Sequence, residues 1–111
     1  KPPLVFNLLL GALGTLAATP FNLALMVERL PRGSFWCAAG IGRFQYPMNV
    51  LGAAMGGHVR TGQEDNLFMD EGKQDPASNE RVVKRIAVAA RAMGRTIATP
   101  AETRQLLGLS G

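Results

Sequence analysis

The first half of the chain alternates between short apolar runs and polar or glycine-rich segments. Residues 4–10, LVFNLLL, form a nearly continuous apolar run, which is typical of a strand covered on both faces in a parallel sheet. A second strand is predicted at 34–39, SFWCAA, and a third at 57–62, GHVRTG. The pattern therefore predicts a parallel sheet of three strands.

A helix is predicted after each of these strands. Thr19 as N-cap and Pro20 at the first helical position begin the first helix, which runs to about Leu30. Residues 47–55, PMNVLGAAM, predict the second helix, after an exit loop of GIGRFQ at 40–45. Strands and helices therefore alternate along this part of the chain.

The later helices have the clearest start signals. Ser78 or Asn79 caps the third helix, whose apolar residues recur at spacings of three and four, namely Val82, Val83, Ile86, Ala87, Ala90 and Met93. A final short helix is predicted from a capping box with Thr99 as the N-cap and Glu102 as its acidic partner. The predicted order is three strand–helix units followed by a terminal helix.

This order fits two α/β architectures, a doubly wound sheet and part of a (β/α)8 TIM barrel. Longer glycine-rich loops follow the strands and short turns follow the helices, which places the working loops at the carboxyl ends of a parallel sheet. A complete barrel needs about 250 residues, so a chain of 111 residues supplies only part of one. Because the chain begins without Met and enters a strand almost at once, we expect it to start partway through a larger protein.

Composition narrows the class of protein without identifying it. Hydrophobic residues make up 47% of the chain, enough for a core, and the net charge of +4 is spread along the sequence. With one Trp and one Tyr, the chain lacks the basic and aromatic pattern of single-strand binders, so we expect no nucleic-acid partner. The apolar start is too short and too interrupted by glycine for a membrane span, and we expect no membrane partner. The lone Cys37 excludes an internal disulfide and indicates a reducing, cytoplasmic compartment.

The chain gathers much of its ionisable chemistry in residues 56–66, GGHVRTGQEDN. In the predicted third strand, His58 and Arg60 are two residues apart and therefore point to the same face. Glu64 and Asp65 follow the carboxyl end of that strand, where barrel active sites are built. Carboxylates beside an arginine either ligate a metal or form an ion pair between loop and strand, and the spacing allows both.

Three other features have simpler structural explanations. His58 is the only histidine, so the chain cannot complete a zinc site by itself, and we expect this residue in the core rather than as a ligand. Cys37 lies in an apolar strand with no base beside it, which indicates packing rather than nucleophilic chemistry. The GIGR turn at 40–43 allows either a phosphate cradle at Gly42 and Arg43 or a plain strand-to-helix connection.

Four segments resemble the carboxyl-terminal third of the β-keto acid cleavage enzyme family, which includes the 3-keto-5-aminohexanoate cleavage enzymes of lysine fermentation. They occur in the family's order over essentially the whole chain: WCAAGIGR, GGHVRTGQEDN, ASNERVV and RTIATPAETRQLLGL. The resemblance implies that residues 1–111 are the carboxyl-terminal portion of a single TIM-barrel domain, comprising the last three βα units and a C-terminal helix. Thr61 and Gln63 stand where the family more usually has apolar residues.

The resemblance also implies a chemistry and roles for individual residues. It implies a zinc-dependent, acyl-CoA-forming transferase or lyase, a homo-oligomer, in which a β-keto acid and acetyl-CoA give acetoacetate and a new acyl-CoA. Glu64 falls on the family's carboxylate zinc ligand, and Arg60 and Asp65 fall on its catalytic arginine–aspartate pair. The family's two histidine ligands lie upstream, in the amino-terminal part of the barrel, and a CoA phosphate would be held at Gly42 and Arg43.

Two alternatives stay open at this point. One is a non-catalytic α/β fragment that serves as a structural or interaction module. The other is a different metal-dependent barrel lyase that shares the same layout of metal and carboxylate.

Overall fold

The predicted order of strands and helices is confirmed in the computed structural model, which describes residues 2–110. A single 3₁₀ turn, Gly42–Phe44, lies between the second strand and the second helix. The elements are β1 (Val5–Leu10), α1 (Pro20–Glu28), β2 (Phe35–Gly40), α2 (Gln45–Ala54), β3 (His58–Val59), α3 (Asn79–Ala92) and α4 (Pro100–Leu106). None of the helices within residues 2–110 combines the length and the apolar character needed to cross a membrane.

The three strands form one parallel sheet in the order β1-β2-β3. The third strand is shorter than the predicted 57–62, because only His58 and Val59 pair with β2. The last backbone hydrogen bond between these strands runs from the Arg60 N–H to the Ala38 carbonyl at 3.1 Å. Beyond it β2 continues to Gly40 beside β1, but the chain after Arg60 no longer pairs with it.

Helix α2 begins at Gln45, two residues before the predicted start at Pro47. Proline normally marks the first helical position, but any position in the first turn tolerates it, because those N–H groups have no partner within the helix. The predicted exit loop of β2 is therefore shorter than GIGRFQ, and its last residue, Gln45, already belongs to the helix.

The core lies on one face of the sheet, between the strands and the first two helices. Leu8 and Leu10 of β1 and Ala38 of β2 pack with Leu23 of α1 in a buried cluster. Helix α2 approaches β2 so closely that a Cβ on Gly52 would overlap the Ala38 methyl group. The close approach matters for the site because it brings polar side chains of α2 within reach of the end of β3.

The opposite face of the sheet is open along much of its length. Val5 and Leu9 of β1 are 51% and 37% exposed. Helix α4 covers only the amino-terminal end of this face, where it encloses a cavity of about 180 Å³ lined by Val5, Phe35, Cys37, His58, Ala98, Thr103, Leu106 and Leu107. This is the face that alternation predicts for the interior of a barrel.

The prediction that His58 belongs to the core is wrong for the described chain, where it is exposed. His58 lies on the open face with its ring 5.5 Å from the ring of Phe35. It shares the cavity on that face with residues of β1, β2 and α4 and with Ala98. Burial of a side chain at this position would require further strands beyond β3.

Helix α3 buries only part of its predicted apolar stripe. Val82, Ile86 and Ala90, spaced by four, are buried, whereas Val83 is 51% exposed. Val83 faces a groove of about 430 Å³ along the free edge of β3, lined by Val59, Arg60, Thr61, Val83, Ile86, Ala87, Ala90 and Ile97. The part of the stripe that remains open therefore borders an unpaired strand edge.

Candidate functional site

A cleft of about 400 Å³ opens at the carboxyl edge of the sheet. Its lining includes residues that follow all three strands: Gly11 after β1, Gly42 and Arg43 after β2, and Glu64 and Asp65 after β3. In open parallel α/β sheets, ligands bind at this edge, because loops from neighbouring strands converge there. The cleft is therefore the candidate functional site.

The structure brings Arg60, Glu64 and Asp65 together at one side of this cleft. Arg60 Nε lies 3.3 Å from Asp65 Oδ2, and Arg60 Nη2 lies 3.9 Å from Glu64 Oε1. The Asp65 side chain is 12% exposed, compared with 61% for that of Glu64. Asp65 Oδ2 is buried and makes no hydrogen bond within residues 2–110, so the contact with Arg60 rests on charge rather than on a well-aligned N–H donor.

The Glu64 carboxylate lies directly above the backbone of Gly62. A Cβ on Gly62 would overlap both carboxylate oxygens, so this position accepts only glycine without moving Glu64. At 3.9 Å from Arg60, Glu64 Oε1 is beyond hydrogen-bonding distance, and the carboxylate faces the cleft. An exposed carboxylate of this kind fits as one ligand of a metal ion.

The chain cannot supply a complete metal site from the residues that the structure describes. No group of three His, Cys, Asp or Glu side chains in residues 2–110 is arranged to hold a metal. Glu64 therefore fits zinc only as one ligand among others that lie outside this chain.

Two buried side-chain amides of α2 donate hydrogen bonds to the backbone near Arg60 and Asp65. Asn49 Nδ2 donates to the carbonyl oxygens of Ala38 at 2.9 Å and Arg60 at 3.0 Å. Gln45 Nε2 donates to the carbonyl oxygen of Gly62 at 2.8 Å. Sequence reasoning missed both amides, because Gln45 was predicted in the exit loop of β2 and its spacing of four from Asn49 on one helix face holds only once α2 begins at Gln45.

The turn between Gly62 and Asp65 has three further backbone anchors. The Asp65 N–H donates to the Gly62 carbonyl at 3.2 Å, and the Gln63 N–H donates to Asn79 Oδ1 at 2.8 Å. The Gly42 N–H donates to the Asp65 carbonyl at 2.6 Å. The loop that carries the two carboxylates is thus tied to α2, to α3 and to the loop after β2.

The predicted phosphate cradle at Gly42 and Arg43 changes in detail. Gly42 adopts a left-handed conformation, with φ at 61°, and its amide is already used by the Asp65 carbonyl. Arg43 is exposed, lines the cleft, and holds its guanidinium 4.8 Å from the centre of the Phe44 ring. Of the two residues, Arg43 is the one with a group available to an anion.

Two ionisable groups on the open face, Cys37 and His58, have shifted pKa values. Burial raises the pKa of Cys37, against an opposing effect of Arg60, so at neutral pH this side chain stays a thiol. A protonated thiol is a weak nucleophile, which supports a packing role for Cys37. Partial desolvation by neighbouring residues, and secondly the charge of Arg95, lower the pKa of the exposed His58, so the neutral imidazole is favoured at pH 7.

The loop between β3 and α3 closes one side of the cleft with charged side chains. Asp70, Glu71 and Lys73 line the cleft, and the Asp70 carboxylate accepts hydrogen bonds from the backbone of the same loop. Arg85 of α3 fixes the loop from below, because it donates to the Met69 carbonyl at 2.8 Å. Hydrogen bonds within the loop and from α3 therefore hold this wall of the cleft.

A parallel sheet with charged groups converging beyond its carboxyl edge defines an α/β protein of the kind that binds its ligand at strand ends. A model of the beta-keto acid cleavage enzyme family matches residues 1–109, and the chain belongs to that family. The family predicted from the sequence motifs is thereby confirmed.

Individual relatives agree with the family match. A 3-keto-5-aminohexanoate cleavage enzyme of Fusobacterium nucleatum is 44% identical over 109 residues, which cover 98% of this chain and 39% of the relative. The enzyme of the same name from Acetoanaerobium sticklandii is 38% identical over 99% of this chain and 40% of the relative. A 3,5-dioxohexanoate:acetyl-CoA acetone transferase of Paraburkholderia graminis is 36% identical, over 100% of this chain and 37% of the relative. The chain thus spans about two fifths of the length of these relatives.

Proposed function

We propose that residues 1–111 form the last three βα units and the C-terminal helix of a single (β/α)8 barrel domain. The parallel sheet with an open apolar face supports this arrangement. So does the groove of about 430 Å³ along the free edge of β3, which has the apolar lining that a further strand–helix unit would cover. The length of the relatives supports it as well, because this chain matches only 39% and 40% of the two cleavage enzymes.

The function that we infer for the complete protein is zinc-dependent cleavage of a β-keto acid with acetyl-CoA, which gives acetoacetate and a new acyl-CoA. One observation carries the proposal. Arg60 Nε and Asp65 Oδ2 lie 3.3 Å apart, with the Glu64 carboxylate beside them, at the carboxyl edge of the sheet. A carbon–carbon cleavage of this kind needs a metal-binding group, a base and a positive charge, and the three residues supply one of each.

Each of the three residues has its own part in the proposed chemistry. Glu64 holds zinc together with ligands from outside this chain, and zinc, when bound, supplies a Lewis acid that polarises the keto group. The Asp65 carboxylate takes a proton from the carbon that attacks the thioester, and Arg60 beside Oδ2 keeps that carboxylate oriented. The guanidinium also stabilises the negative charge that develops on oxygen during the attack.

Arg43 is the proposed contact for a phosphate of CoA. Its exposed guanidinium lines the same cleft as Glu64 and Asp65, and guanidinium groups bind phosphate through paired N–H donors. Gly42 contributes by shaping the turn rather than by donating its amide, which the Asp65 carbonyl already uses. We further propose a cytoplasmic location, since the lone Cys37 suits a reducing compartment. A homo-oligomer is proposed from the family resemblance.

The test uses the full-length protein with three variants. We expect Glu64→Gln to lower zinc stoichiometry and turnover together, and Asp65→Asn to reduce turnover to a low residual rate while zinc is retained. Glu80→Gln, an exposed change in the first turn of α3, is the matched control and keeps both. Full zinc content and full rate in Glu64→Gln would show that the proposed site is wrong.

A further inference from the structure

Two backbone carbonyl groups, those of Arg60 and Gly62, lie beyond the point where β3 stops pairing with β2. The ladder between β2 and β3 covers only Cys37–Ala38 and His58–Val59, so the carbonyls of Arg60 and Gly62 receive no donor from β2 through that ladder. A buried carbonyl without a donor is costly. Here the donors are the side-chain amides of Asn49 and Gln45, which are 1% and 0% exposed.

We propose that Asn49 and Gln45 are positioning residues for Arg60 and Asp65, an inference that rests on the catalytic roles proposed above. Asn49 bridges the Ala38 and Arg60 carbonyls, while the Arg60 N–H donates to the same Ala38 oxygen. Both backbone polar groups of Arg60 are therefore held. The Cα–Cβ direction from which its guanidinium reaches Asp65 is fixed by these bonds.

Gln45 acts on the other member of the pair through the turn. The Gly62 carbonyl accepts two hydrogen bonds, one from Gln45 Nε2 at 2.8 Å and one from the Asp65 N–H at 3.2 Å. Gln45 thus fixes the Gly62 carbonyl oxygen, which is also the acceptor for the Asp65 N–H. Without it, the Gly62–Asp65 turn keeps its internal bond but loses its attachment to the buried helix α2.

The two amides have a role that apolar packing at the same positions could not provide. Helix α2 buries Met48 and Ala53 against the core, and leucine or methionine at 45 and 49 would add to that packing. The amides instead donate hydrogen bonds to backbone carbonyls next to the proposed catalytic groups. A displacement of about 1 Å in such groups lowers a rate by about 100-fold, so rigid anchoring has a direct effect on turnover.

The experiment is a double-mutant cycle in the full-length protein. We expect Gln45→Met to lower kcat by about 10- to 100-fold, in line with the loss of groups that orient reacting residues. In the Asp65→Asn background the same change should lower residual turnover by less than about twofold, because the group that Gln45 positions has already lost its function. Asn49→Leu in wild-type and Arg60→Met backgrounds tests the second arm in the same way.

Two further measurements keep the test independent of activity and of folding failure. Amide hydrogen exchange at Asp65 should become faster in Gln45→Met, because its acceptor has lost its anchor. If Gln45→Met does not fold, Gln45→Glu keeps the size and can donate only when the carboxyl group is protonated, so its deficit in kcat should grow as pH rises. Gln105→Met on exposed helix α4 is the matched control and should change none of these quantities.

The outcomes separate this inference from the function on which it rests. If Asp65→Asn keeps wild-type turnover, the proposed function fails and the positioning role fails with it. If Asp65→Asn loses turnover but Gln45→Met lowers kcat by the same factor in both backgrounds, the amide is only a structural residue and the positioning role alone is overturned.

Discussion

Gly62 shows how a single residue controls the proposed metal ligand. Its missing side chain leaves the space in which the Glu64 carboxylate lies, and a Cβ would overlap both oxygens. The overlap is with the end of a flexible side chain, so a larger residue at position 62 would displace the Glu64 carboxylate rather than the backbone.

We therefore predict that Gly62→Ala lowers the zinc content of the full-length protein without unfolding it. The added methyl group pushes the Glu64 carboxylate away from its position, and one lost ligand weakens metal binding. Zinc per chain, measured by elemental analysis beside circular dichroism, checks the result. Wild-type zinc stoichiometry in a folded variant would contradict it.

Part of the site could be predicted from the sequence because it is local. Arg60, Glu64 and Asp65 lie within six consecutive residues after a strand, so a turn alone brings them close. Gln45 and Asn49 could not be placed in the same way, because their acceptors are carbonyls of another element. Which carbonyls lack a donor is decided by where β2 and β3 separate, and nothing in the local sequence marks that point.

Arg95 provides a comparable anchor between elements, at the opposite end of β3. Its Nη1 donates to the Ala53 carbonyl at 3.0 Å and to the Gly57 carbonyl, and so joins the segment after α3 to the end of α2 and the start of β3. The arginine is part-buried, and hydrogen bonds from a charged donor stabilise more than neutral ones. It therefore holds the two ends of the α2–β3 connection together.

We predict that Arg95→Met destabilises the full-length protein by about 1.5–3 kcal/mol, the usual range for a lost charge-assisted hydrogen bond. Two carbonyls would lose their donor, while the hydrophobic stem of the side chain would be kept. Urea unfolding followed by fluorescence measures the change. Arg104→Met on exposed α4 is the control, and equal unfolding midpoints for both variants would refute the prediction.

Helix α4 begins with the capping box predicted from its sequence. The Thr99 N–H donates to Glu102 Oε2 at 2.7 Å, and the Glu102 N–H donates to Thr99 Oγ1 at 3.2 Å. The hydrogen bond from the Thr99 backbone lowers the pKa of Glu102. A carboxylate whose pKa is lowered by folding stabilises the folded state above its unfolded pKa of about 4.3, and this contribution disappears as pH falls through the folded value.

We predict that Glu102→Gln lowers the Tm of the full-length protein at pH 7, and that this difference shrinks as pH falls below the unfolded pKa of about 4.3. In that range the unfolded state binds a proton more readily than the folded state, so the stabilisation by the ionised carboxylate is lost progressively toward the lowered folded pKa. Calorimetry across this range measures the difference in Tm between the two proteins. A difference that stays constant down to pH 3 would exclude a contribution from the ionised cap.

At the scale of the whole molecule, burial follows the face of the sheet rather than the hydrophobic pattern. The strands are largely apolar on both faces, yet the face under α1 and α2 holds the buried cluster, whereas α4 covers only the amino-terminal end of the other face. His58 was expected in the core and is exposed for the same reason. The hydrophobic pattern indicates which side chains are favourably buried. It does not indicate whether the residues that bury them belong to the same segment of chain.

We predict that residues 1–111 expressed alone self-associate, while the full-length protein does not expose this surface. Apolar side chains such as Val5, Leu9 and Val83 would face water, and the free edge of β3 would be open to pairing with a second copy. Sedimentation velocity and binding of a hydrophobic dye measure the effect. A monodisperse monomer that binds no dye would argue against a missing barrel interior.

The hydrogen bond from the Gly42 N–H to the Asp65 carbonyl has a consequence for how the two proposed substrates would affect each other's binding. It links the loop that carries Arg43 to the loop that carries Asp65. A ligand that displaces one loop would therefore change the free energy of ligand binding at the other. Thermodynamic linkage then requires reciprocity: if a nucleotide phosphate at Arg43 tightens binding of the keto acid, the keto acid tightens binding of the nucleotide by the same factor. Substrate synergy would in this way be transmitted through a single peptide group.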